Sequence, residues 1–165
     1  MDESGDNFIK LWVKTESSMK KSMFIGEYQH SLDDKGRVAV PVKFRKQLGG
    51  GAVVTRGLDN CLFLYPANEW TKLAERLAAL PLAQANTRAF ARLMLAGAME
   101  VDIDRQGRIT VPDYLRRYAS IKKKIVLAGL FNRLELWDEA AWAKYRAKTE
   151  KGSAEIAEEL HSLGV

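Results

Sequence analysis

The sequence contains a single cysteine, Cys61, within the apolar run CLFLYP. One cysteine excludes an intramolecular disulfide and any metal site built from several thiolates. The two histidines, His30 and His161, are far apart in the chain and show no metal-ligand spacing. The sequence therefore predicts no metal site and a buried, reduced Cys61.

Long apolar runs are also missing. No stretch approaches the roughly 18 apolar residues that a membrane-spanning helix needs. The first residues, MDESGDNFIKLWVKTESS, lack the apolar core of a signal peptide. We therefore expect a cytoplasmic protein without a membrane partner. Hydrophobic residues still make up 47% of the chain, which is enough for a packed core.

Negative charge is scarce in the middle of the chain. The whole sequence has 26 Lys and Arg against 21 Asp and Glu, but residues 150–165 contain four Glu and one Lys. Residues 23–149 consequently carry a net charge of +8. A basic body suits a polyanion such as nucleic acid, although charge alone does not identify the partner.

One string of residues occurs twice. SLDDKGRVAVPVKFR at 31–45 aligns without a gap with DIDRQGRITVPDYLR at 102–116. Each copy predicts a turn, a short alternating strand and a helix that starts at the proline. A second hairpin and helix follow in each copy, at 53–70 and 126–142. The chain is therefore predicted to be a duplicated α+β unit whose copies pack about a pseudo-two-fold axis.

This pattern divides the chain into five segments. Residues 1–22 are predicted to be a flexible extension, and Met23 is an alternative start. The other segments are a first repeat at 23–76, a connecting helical segment at 77–97, a second repeat at 98–145 and a C-terminal acidic helix at 146–165.

Two helical stripes of apolar residues are predicted to be buried. Trp70, Leu73, Leu77 and Leu80 share one face of the helix in the first repeat. In the C-terminal segment, Ile156, Leu160 and Leu163 recur at helical spacing. We expect this last helix to pack on its own core, with docking on a partner or on a neighbouring copy as the alternative.

The repeated string predicts a braced loop. Asp33 can accept hydrogen bonds from the backbone of its own turn, Gly36 permits a positive φ, and Arg37 is within reach of Asp33. Asp104 and Arg108 hold the equivalent positions in the second copy. Asp33 and Asp104 are thus predicted to brace the loops. Such braces are also common in hairpins without a binding role.

Cations surround the two predicted loops. Lys35 and Arg37 belong to the first loop, and Arg105 and Arg108 to the second. If the two copies bring these loops to one side, they form a cationic rim suited to phosphates and to guanine edges in the major groove. Further cations lie nearby in sequence, with the lysine run interpreted as a solvated turn: Lys43, Arg45, Lys46, Arg116, Arg117 and Lys122–Lys124.

The sequence resembles the MraZ family of bacterial transcriptional regulators, within the AbrB-like swapped-hairpin superfamily. The resemblance covers about residues 23–145 and is carried by four segments: MFIGEYQHSLDDKGRVAVPVKFR, LFLYPANEW, DIDRQGRITVP and GLFNRLELWDEAAW. It implies an α+β fold, a tandem pseudo-two-fold repeat of swapped-hairpin AbrB-like units that form an intertwined β-barrel core with flanking helices.

The same resemblance implies a function. Members of this family are cytoplasmic, nucleoid-associated proteins that form ring-like homo-oligomers on double-stranded promoter DNA. They commonly repress their own promoter, and with it a cell-division and cell-wall gene cluster, by binding short direct repeats. Carried onto this sequence, the predicted DNA contacts are Lys35, Gly36, Arg37, Arg105 and Arg108. Because Gln106 stands where the first copy has Lys35, we expect the first loop to be the principal contact.

An enzyme is not predicted. The sequence has no phosphate-binding glycine loop and no nucleophile–histidine–carboxylate set, so we expect no catalytic residue, no cofactor and no small-molecule substrate. Asp33 and Asp104 each have an arginine four residues on, which keeps both ionised instead of sharing a proton. Two alternatives remain open: a protein-interaction module of antitoxin type, and RNA binding, which the lack of an aromatic stacking platform among the cations disfavours.

Overall fold

The computed structural model of the protein describes residues 23–165, and the predicted extension at 1–22 lies outside the described residues. The strands are β1 (Phe24–Ser31), β2 (Arg37–Ala39), β3 (Ala52–Arg56), β4 (Leu62–Pro66), β5 (Met99–Val101), β6 (Arg108–Thr110), β7 (Lys124–Phe131) and β8 (Leu134–Asp138). The helices are α1 (Val42–Leu48), α2 (Ala67–Ala78), α3 (Ala85–Ala91), α4 (Asp113–Tyr118), α5 (Glu139–Lys151) and α6 (Ser153–Leu160). A π-helical stretch (Arg92–Ala96) follows α3, and a 3-10 turn (His161–Leu163) follows α6. The predicted α+β class is confirmed.

The two copies of the repeated string fold alike. Each forms a short strand and then a short helix, and Pro41 and Pro112 come directly before α1 and α4. Both prolines have an extended ψ, 136° and 145° respectively, so they are N-cap residues. The helices therefore begin one residue later than predicted. The fixed φ of proline suits this boundary as well as it suits the first helical turn.

The two repeats exchange strands. The larger sheet has the order β1-β7-β8-β4-β3-β5, and a smaller sheet pairs β2 with β6. β1, from the first repeat, pairs along its whole length with β7 of the second, whereas β5 of the second repeat pairs with β3 of the first. The repeats are thus intertwined. Within residues 23–165 the larger sheet is open, with β1 and β5 at its edges, and the predicted barrel closure is not observed.

The strand register follows a pseudo-two-fold axis. In the pair formed by β4 and β8, Leu62 lies opposite Leu136 and Leu64 lies opposite Leu134. Leu62 is equivalent to Leu134 in the duplicated sequence, and Leu64 to Leu136, so a two-fold rotation maps one pair onto the other. The pair of β2 and β6 has the same symmetry about the middle residue of each strand. The two copies of the duplicated sequence are therefore related by a pseudo-two-fold axis in the structure.

Two apolar cores lie on opposite faces of the larger sheet. Successive side chains of β4 point to opposite faces of the sheet. Leu62 and Leu64 therefore belong to the first core, and Phe63 and Tyr65 belong to the second. Side chains from β2, β6, α1 and α4 complete the first core, and α2, the π-helical stretch and α5 contribute to the second. The run CLFLYP is continuously apolar because both of its faces are covered.

The apolar stripe predicted in the first repeat is confirmed. Leu77 is buried in the second core, and Trp70, Leu73 and Leu80 pack against it. Leu80 lies just beyond the end of α2. The corresponding Trp142 of α5 packs against the same core.

The predicted burial of Cys61 is confirmed, and its thiol is free. Burial and the neighbouring Glu135 carboxylate raise the pKa of this thiol. Because only the thiolate is nucleophilic, we expect the folded protein to resist a thiol-reactive disulfide reagent even at about pH 8. The same reagent should label Cys61 rapidly in denaturant. Fast labelling of the folded chain would contradict this burial.

The C-terminal residues lie outside both cores. Gly152 separates α5 from α6, and α6 contacts α5 and the 3-10 turn that follows it. Ile156, Leu160 and Leu163 are 44%, 38% and 73% exposed, and none belongs to a core cluster. The prediction that this helix packs on its own core is therefore wrong. The second core is already covered by other helices, which leaves the apolar stripe of α6 facing solvent.

Candidate nucleic-acid interface

The first repeated string forms a tight loop that binds its own aspartate. In loop 1, residues 33–37, Oδ1 of Asp33 accepts hydrogen bonds from the backbone N–H groups of Lys35 (3.0 Å) and Arg37 (2.8 Å). Oδ2 accepts a further bond from Nε of Arg37 at 2.6 Å. Gly36 has a φ of +77°, which a residue with a Cβ adopts only with strain. The contact predicted between Asp33 and Arg37 is therefore present.

The second string forms the same loop. In loop 2, residues 104–108, Oδ1 of Asp104 accepts from the N–H groups of Gln106 and Arg108, both at 2.9 Å. Oδ2 accepts from Nε of Arg108, also at 2.9 Å. Gly107 has a φ of +77°, identical to that of its counterpart in loop 1. Both loops thus hold an arginine in one orientation by a carboxylate that the turn itself positions.

The two loops lie side by side. The N–H of Val40 donates to the carbonyl of Gly107, and the N–H of Val111 donates to the carbonyl of Gly36, both at 2.8 Å. Nη1 of Arg108 also lies 3.8 Å from Oδ2 of Asp33, across the boundary between the repeats. Loops 1 and 2 therefore form one continuous region, here called the composite loop surface.

This surface presents several cations in different settings. Lys35 and Arg105 are exposed, so their side chains are accessible to an anion such as a phosphate. Arg37 and Arg108 are only 29% and 27% exposed, because their Nε atoms are tied to the bracing aspartates. No hydrogen bond from either Nη group of Arg37 is found within residues 23–165. Mobile cations beside fixed guanidinium groups can combine phosphate contacts with oriented hydrogen bonding.

The lysine run borders loop 1 without joining it. Lys122, Lys123 and Lys124 are exposed where the chain enters β7. The carbonyl of Lys123 accepts a hydrogen bond of 2.8 Å from the N–H of Leu32, directly before loop 1. This placement agrees with the interpretation of the run as a solvated turn, and adds positive charge at the base of the loop.

Both bracing carboxylates are held in their ionised form. The pKa of Asp33 is lowered chiefly by the hydrogen bond from the backbone N–H of Arg37; desolvation opposes this, and the Arg37 side chain and the N–H of Lys35 lower the pKa further. The pKa of Asp104 is lowered in the same way by Arg108. Each loop consequently keeps a negative charge beneath its arginine at neutral pH.

Acidification should open the braces. A carboxyl group whose pKa is lowered on folding stabilises the fold above its unfolded pKa, and that contribution is lost as the pH falls through the folded value. An NMR titration of the two carboxyl carbons should therefore give midpoints below the ordinary 3.8 for Asp33 and Asp104. A midpoint at or above 3.8 for either aspartate would show that its brace does not form in solution.

Residues 23–165 contain neither a candidate metal site nor a candidate membrane-spanning helix. These residues contain no group of three or more His, Cys, Asp or Glu side chains placed to hold a metal ion. No helix in the same range combines the length and the apolar character needed to cross a membrane. The composite loop surface is the cluster of charged groups that the duplicated string builds.

Comparisons with known proteins agree with the duplication. The family model described as "MraZ protein, putative antitoxin-like" matches the chain twice, at residues 23–93 and 94–163. A protein of Natranaerobius thermophilus named "Transcriptional regulator MraZ" is 51% identical over 138 residues, which is 84% of this chain and 96% of the relative. A protein of Halothermothrix orenii with the same name is 48% identical over 143 residues, 87% of this chain and 100% of the relative. A protein of Pediococcus pentosaceus, again so named, is 49% identical over 143 residues with the same coverage.

Proposed function

Since this chain belongs to the MraZ family, we propose that it is a transcriptional regulator that binds double-stranded promoter DNA through the composite loop surface. The observation that carries the proposal is the adjacency of the two braced loops, with Nη1 of Arg108 3.8 Å from Asp33. The proposed DNA contacts are Lys35, Gly36, Arg37, Arg105 and Arg108. Asp33 and Asp104 brace the loops and make no contact with DNA.

Each kind of residue has its own task in this proposal. Lys35 and Arg105 neutralise phosphates, since exposed cations gain affinity by displacing counterions from DNA. Arg37 presents its Nη groups to acceptors such as guanine O6 and N7, a contact that depends on orientation. Gly36 adopts the positive φ that lets loop 1 present Lys35 and Arg37 to the DNA. Loop 1 is the principal contact because loop 2 has the uncharged Gln106 where loop 1 has Lys35.

The proposed fold assignment is finer than the α+β class. Residues 23–76 and 98–145 are two AbrB-like swapped-hairpin units, connected by residues 77–97 and followed by the acidic segment 146–165. The exchange of β1 and β5 between the repeats supports this assignment. In one chain the exchange plays the part that strand swapping between two chains plays in a dimer.

We propose a ring-like homo-oligomer as the active form. Both edge strands of the larger sheet, β1 and β5, have an unpaired side within residues 23–165, and exposed apolar residues lie beside β1. Ile25, Leu130 and Phe131 are among them. A ring places several loops on successive short direct repeats in the DNA, about 10 bp apart, and gains avidity from their high effective concentration. A monomer that binds its DNA as tightly as an oligomer would contradict this.

The proposed biological role is repression of the protein's own promoter and of the cell-division and cell-wall gene cluster encoded with it. Occupancy of the promoter excludes polymerase, so no catalysis is needed. The protein then works in the cytoplasm, on the nucleoid. This role rests on membership of the family and on the composite loop surface.

A titration tests the proposal. The purified chain is titrated against its own upstream DNA and against scrambled DNA of the same length at two salt concentrations. We expect tighter binding to the upstream DNA, with a preference that persists at the higher salt. Equal, salt-sensitive affinity for both DNAs would show that the basic residues attract DNA only by general electrostatics, without recognition of sequence.

Replacement of Lys35 by alanine should weaken binding without changing sequence preference. Because Lys35 is exposed and makes no side-chain bond within residues 23–165, its loss removes one phosphate contact. The slope of log K against log salt should then fall by about one unit per engaged loop. Lys144→Ala on α5, an exposed lysine outside both loops, is the matched control and should leave the slope unchanged.

A second candidate function is an interaction module of antitoxin type without specific operator binding. The exposed apolar stripe Ile156, Leu160 and Leu163 beside Glu155, Glu158 and Glu159 favours it. Deletion of residues 153–165 separates the two functions. Retained preference for the upstream DNA supports the regulator. The interaction module is supported if the full chain shows no preference for the upstream DNA and binds a protein partner that the deletion variant no longer binds.

A further inference from the structure

The glycines of the two loops are buried although the loops are exposed. Gly36 follows the exposed Lys35, and Gly107 follows the exposed Gln106, yet each glycine is itself covered. In both cases the cover is an arginine side chain from the opposite repeat. Arg116 of α4 covers Gly36, and Arg45 of α1 covers Gly107.

The contact is close in both loops. A Cβ built on Gly36 would lie 2.9 Å from Cζ and 3.1 Å from Nε of Arg116. A Cβ on Gly107 would collide with the guanidinium of Arg45. The glycines are therefore needed for a second reason besides their positive φ, because the planar guanidinium occupies the place of a side chain.

The arginine at Gly107 is anchored to the backbone that connects the two repeats. Nε of Arg45 donates to the carbonyl of Val40 at 2.9 Å. The N–H of the same Val40 donates to the carbonyl of Gly107 at 2.8 Å. Arg45 therefore contacts Gly107 and is hydrogen-bonded to Val40, the residue whose N–H holds Gly107 across the repeats.

The arginine at Gly36 is anchored differently. Asp113 stands where the first copy has Val42, and Nη2 of Arg116 lies 3.6 Å from its carboxylate. Nε of Arg116 is buried and has no hydrogen-bond partner within residues 23–165. The same clamp is therefore held by a carboxylate in one repeat and by a carbonyl in the other.

We propose that Arg45 and Arg116 are positioning residues, each of which holds the DNA-binding loop of the opposite repeat in its bound conformation. The inference rests on the proposed DNA-binding function and extends it to two residues that lie outside both loops. Through these cross-contacts, neither loop can move without disturbing the helix of the other repeat. The two loops consequently meet the DNA as one rigid unit, which lowers the entropy cost of binding.

The chemistry of the clamp requires arginine and not merely a positive charge. A guanidinium is planar and can lie flat against the exposed face of a glycine peptide while its edge donates hydrogen bonds. Lysine keeps the charge but has a compact ammonium group on a flexible chain. The substitutions Arg45→Lys and Arg116→Lys therefore remove the clamp and retain the electrostatic attraction to DNA.

Hydrogen exchange of the full chain without DNA tests the clamp directly. In Arg116→Lys we expect amide exchange in residues 31–40 to accelerate about tenfold while residues 102–111 exchange as in the wild type. Arg45→Lys should give the reverse pattern, and unchanged exchange in β4 and β8 reports an intact fold. Unchanged loops in both variants, or acceleration of the loop in the variant's own repeat, would overturn the inference. If one variant does not fold, the other tests the same claim.

Titration against the upstream and scrambled DNA supplies the second readout. Each lysine variant should lose about tenfold of its preference for the upstream DNA, with an unchanged salt slope because the charge is retained. Faster loop exchange with full preference would show that the clamp does not serve DNA binding, and would overturn the inference while the proposed function stands. If the wild type shows no preference for the upstream DNA, the proposed function is wrong. The hydrogen-exchange pattern would then still show whether Arg45 and Arg116 hold the loops of the opposite repeats.

The matched control is Arg117→Lys. Arg117 neighbours Arg116 on α4, pairs with the same Asp113 at 3.0 Å, and is 74% exposed. It lies on no loop glycine. We expect wild-type exchange and wild-type DNA preference from this variant. Effects equal to those of Arg116→Lys would show that the result does not depend on the guanidinium that covers Gly36, and would contradict the clamp.

Discussion

Arg37→Ala is expected to abolish most of the selective DNA binding. The loss of one oriented arginine–base contact costs about 1–3 kcal/mol, or roughly 5- to 150-fold in affinity, for each engaged loop. In an oligomer with several loops on the DNA these losses accumulate, since every copy lacks the same contact. Titration against upstream and scrambled DNA measures the effect.

The control for this variant is Arg76→Ala on α2, which removes an arginine outside both loops. It should bind both DNAs like the wild type. The circular dichroism spectrum and melting temperature of Arg37→Ala should also stay close to those of the wild type, since a single ion pair at the surface, partly open to solvent, stabilises a fold by about 1 kcal/mol or less. A folded Arg37→Ala protein with unchanged DNA preference would remove Arg37 from the site.

Phe24→Ala is expected to destabilise the fold more than any surface change. Phe24 is completely buried in β1, the strand that the first repeat gives to the second, and its ring lies 5.1 Å from that of Phe44 on α1. Truncation of a buried phenylalanine costs about 3–5 kcal/mol. Urea denaturation at one fixed protein concentration measures the loss, because an oligomer's stability depends on concentration.

Ile25 provides the neighbouring control. It follows Phe24 in β1, points to the other face and is 54% exposed. Ile25→Ala should therefore cost under about 1 kcal/mol when both variants are measured at a protein concentration low enough for the proposed ring to dissociate, because Ile25 is also among the residues proposed for its contacts. Comparable losses in the two variants would show that β1 is not anchored in the first core, and the strand exchange between the repeats would then need revision.

Much of the architecture was predictable because the sequence repeats itself. The recurrence of the D-x-x-G-R string predicted two equivalent turns, two short helices and a pseudo-two-fold axis, and the strand register has that symmetry. Aspartate four residues before arginine predicted each loop's internal brace, since both partners lie within one turn. The adjacency of the loops also follows from the symmetry.

What the sequence could not predict depends on contacts between distant residues. No local pattern distinguishes a strand that pairs with its own repeat from one that is exchanged, so the exchange was expected only from the family resemblance, and the open strand order became clear only from the structure. Arg45 and Arg116 were recognised only as nearby cations. Their equivalence in the alignment of the two copies is visible in the sequence, but their contacts with the loop glycines of the opposite repeat are tertiary.

The C-terminal segment shows the limit of helical periodicity. Ile156, Leu160 and Leu163 have the spacing of a buried stripe, but periodicity reports which residues share a face and not whether a surface is available to cover it. Both faces of the larger sheet are already occupied. The stripe is consequently exposed in the single chain.

The most direct test of the central claim is a titration of upstream DNA with the wild type, Arg37→Ala, Arg108→Ala and the double variant. If the two loops form one DNA-binding surface, each single variant should bind more weakly, with the larger loss for Arg37→Ala. The double variant should retain only the salt-sensitive affinity that the wild type has for scrambled DNA. A folded double variant that still prefers the upstream DNA as strongly as the wild type would show that the composite loop surface is not the DNA-binding site.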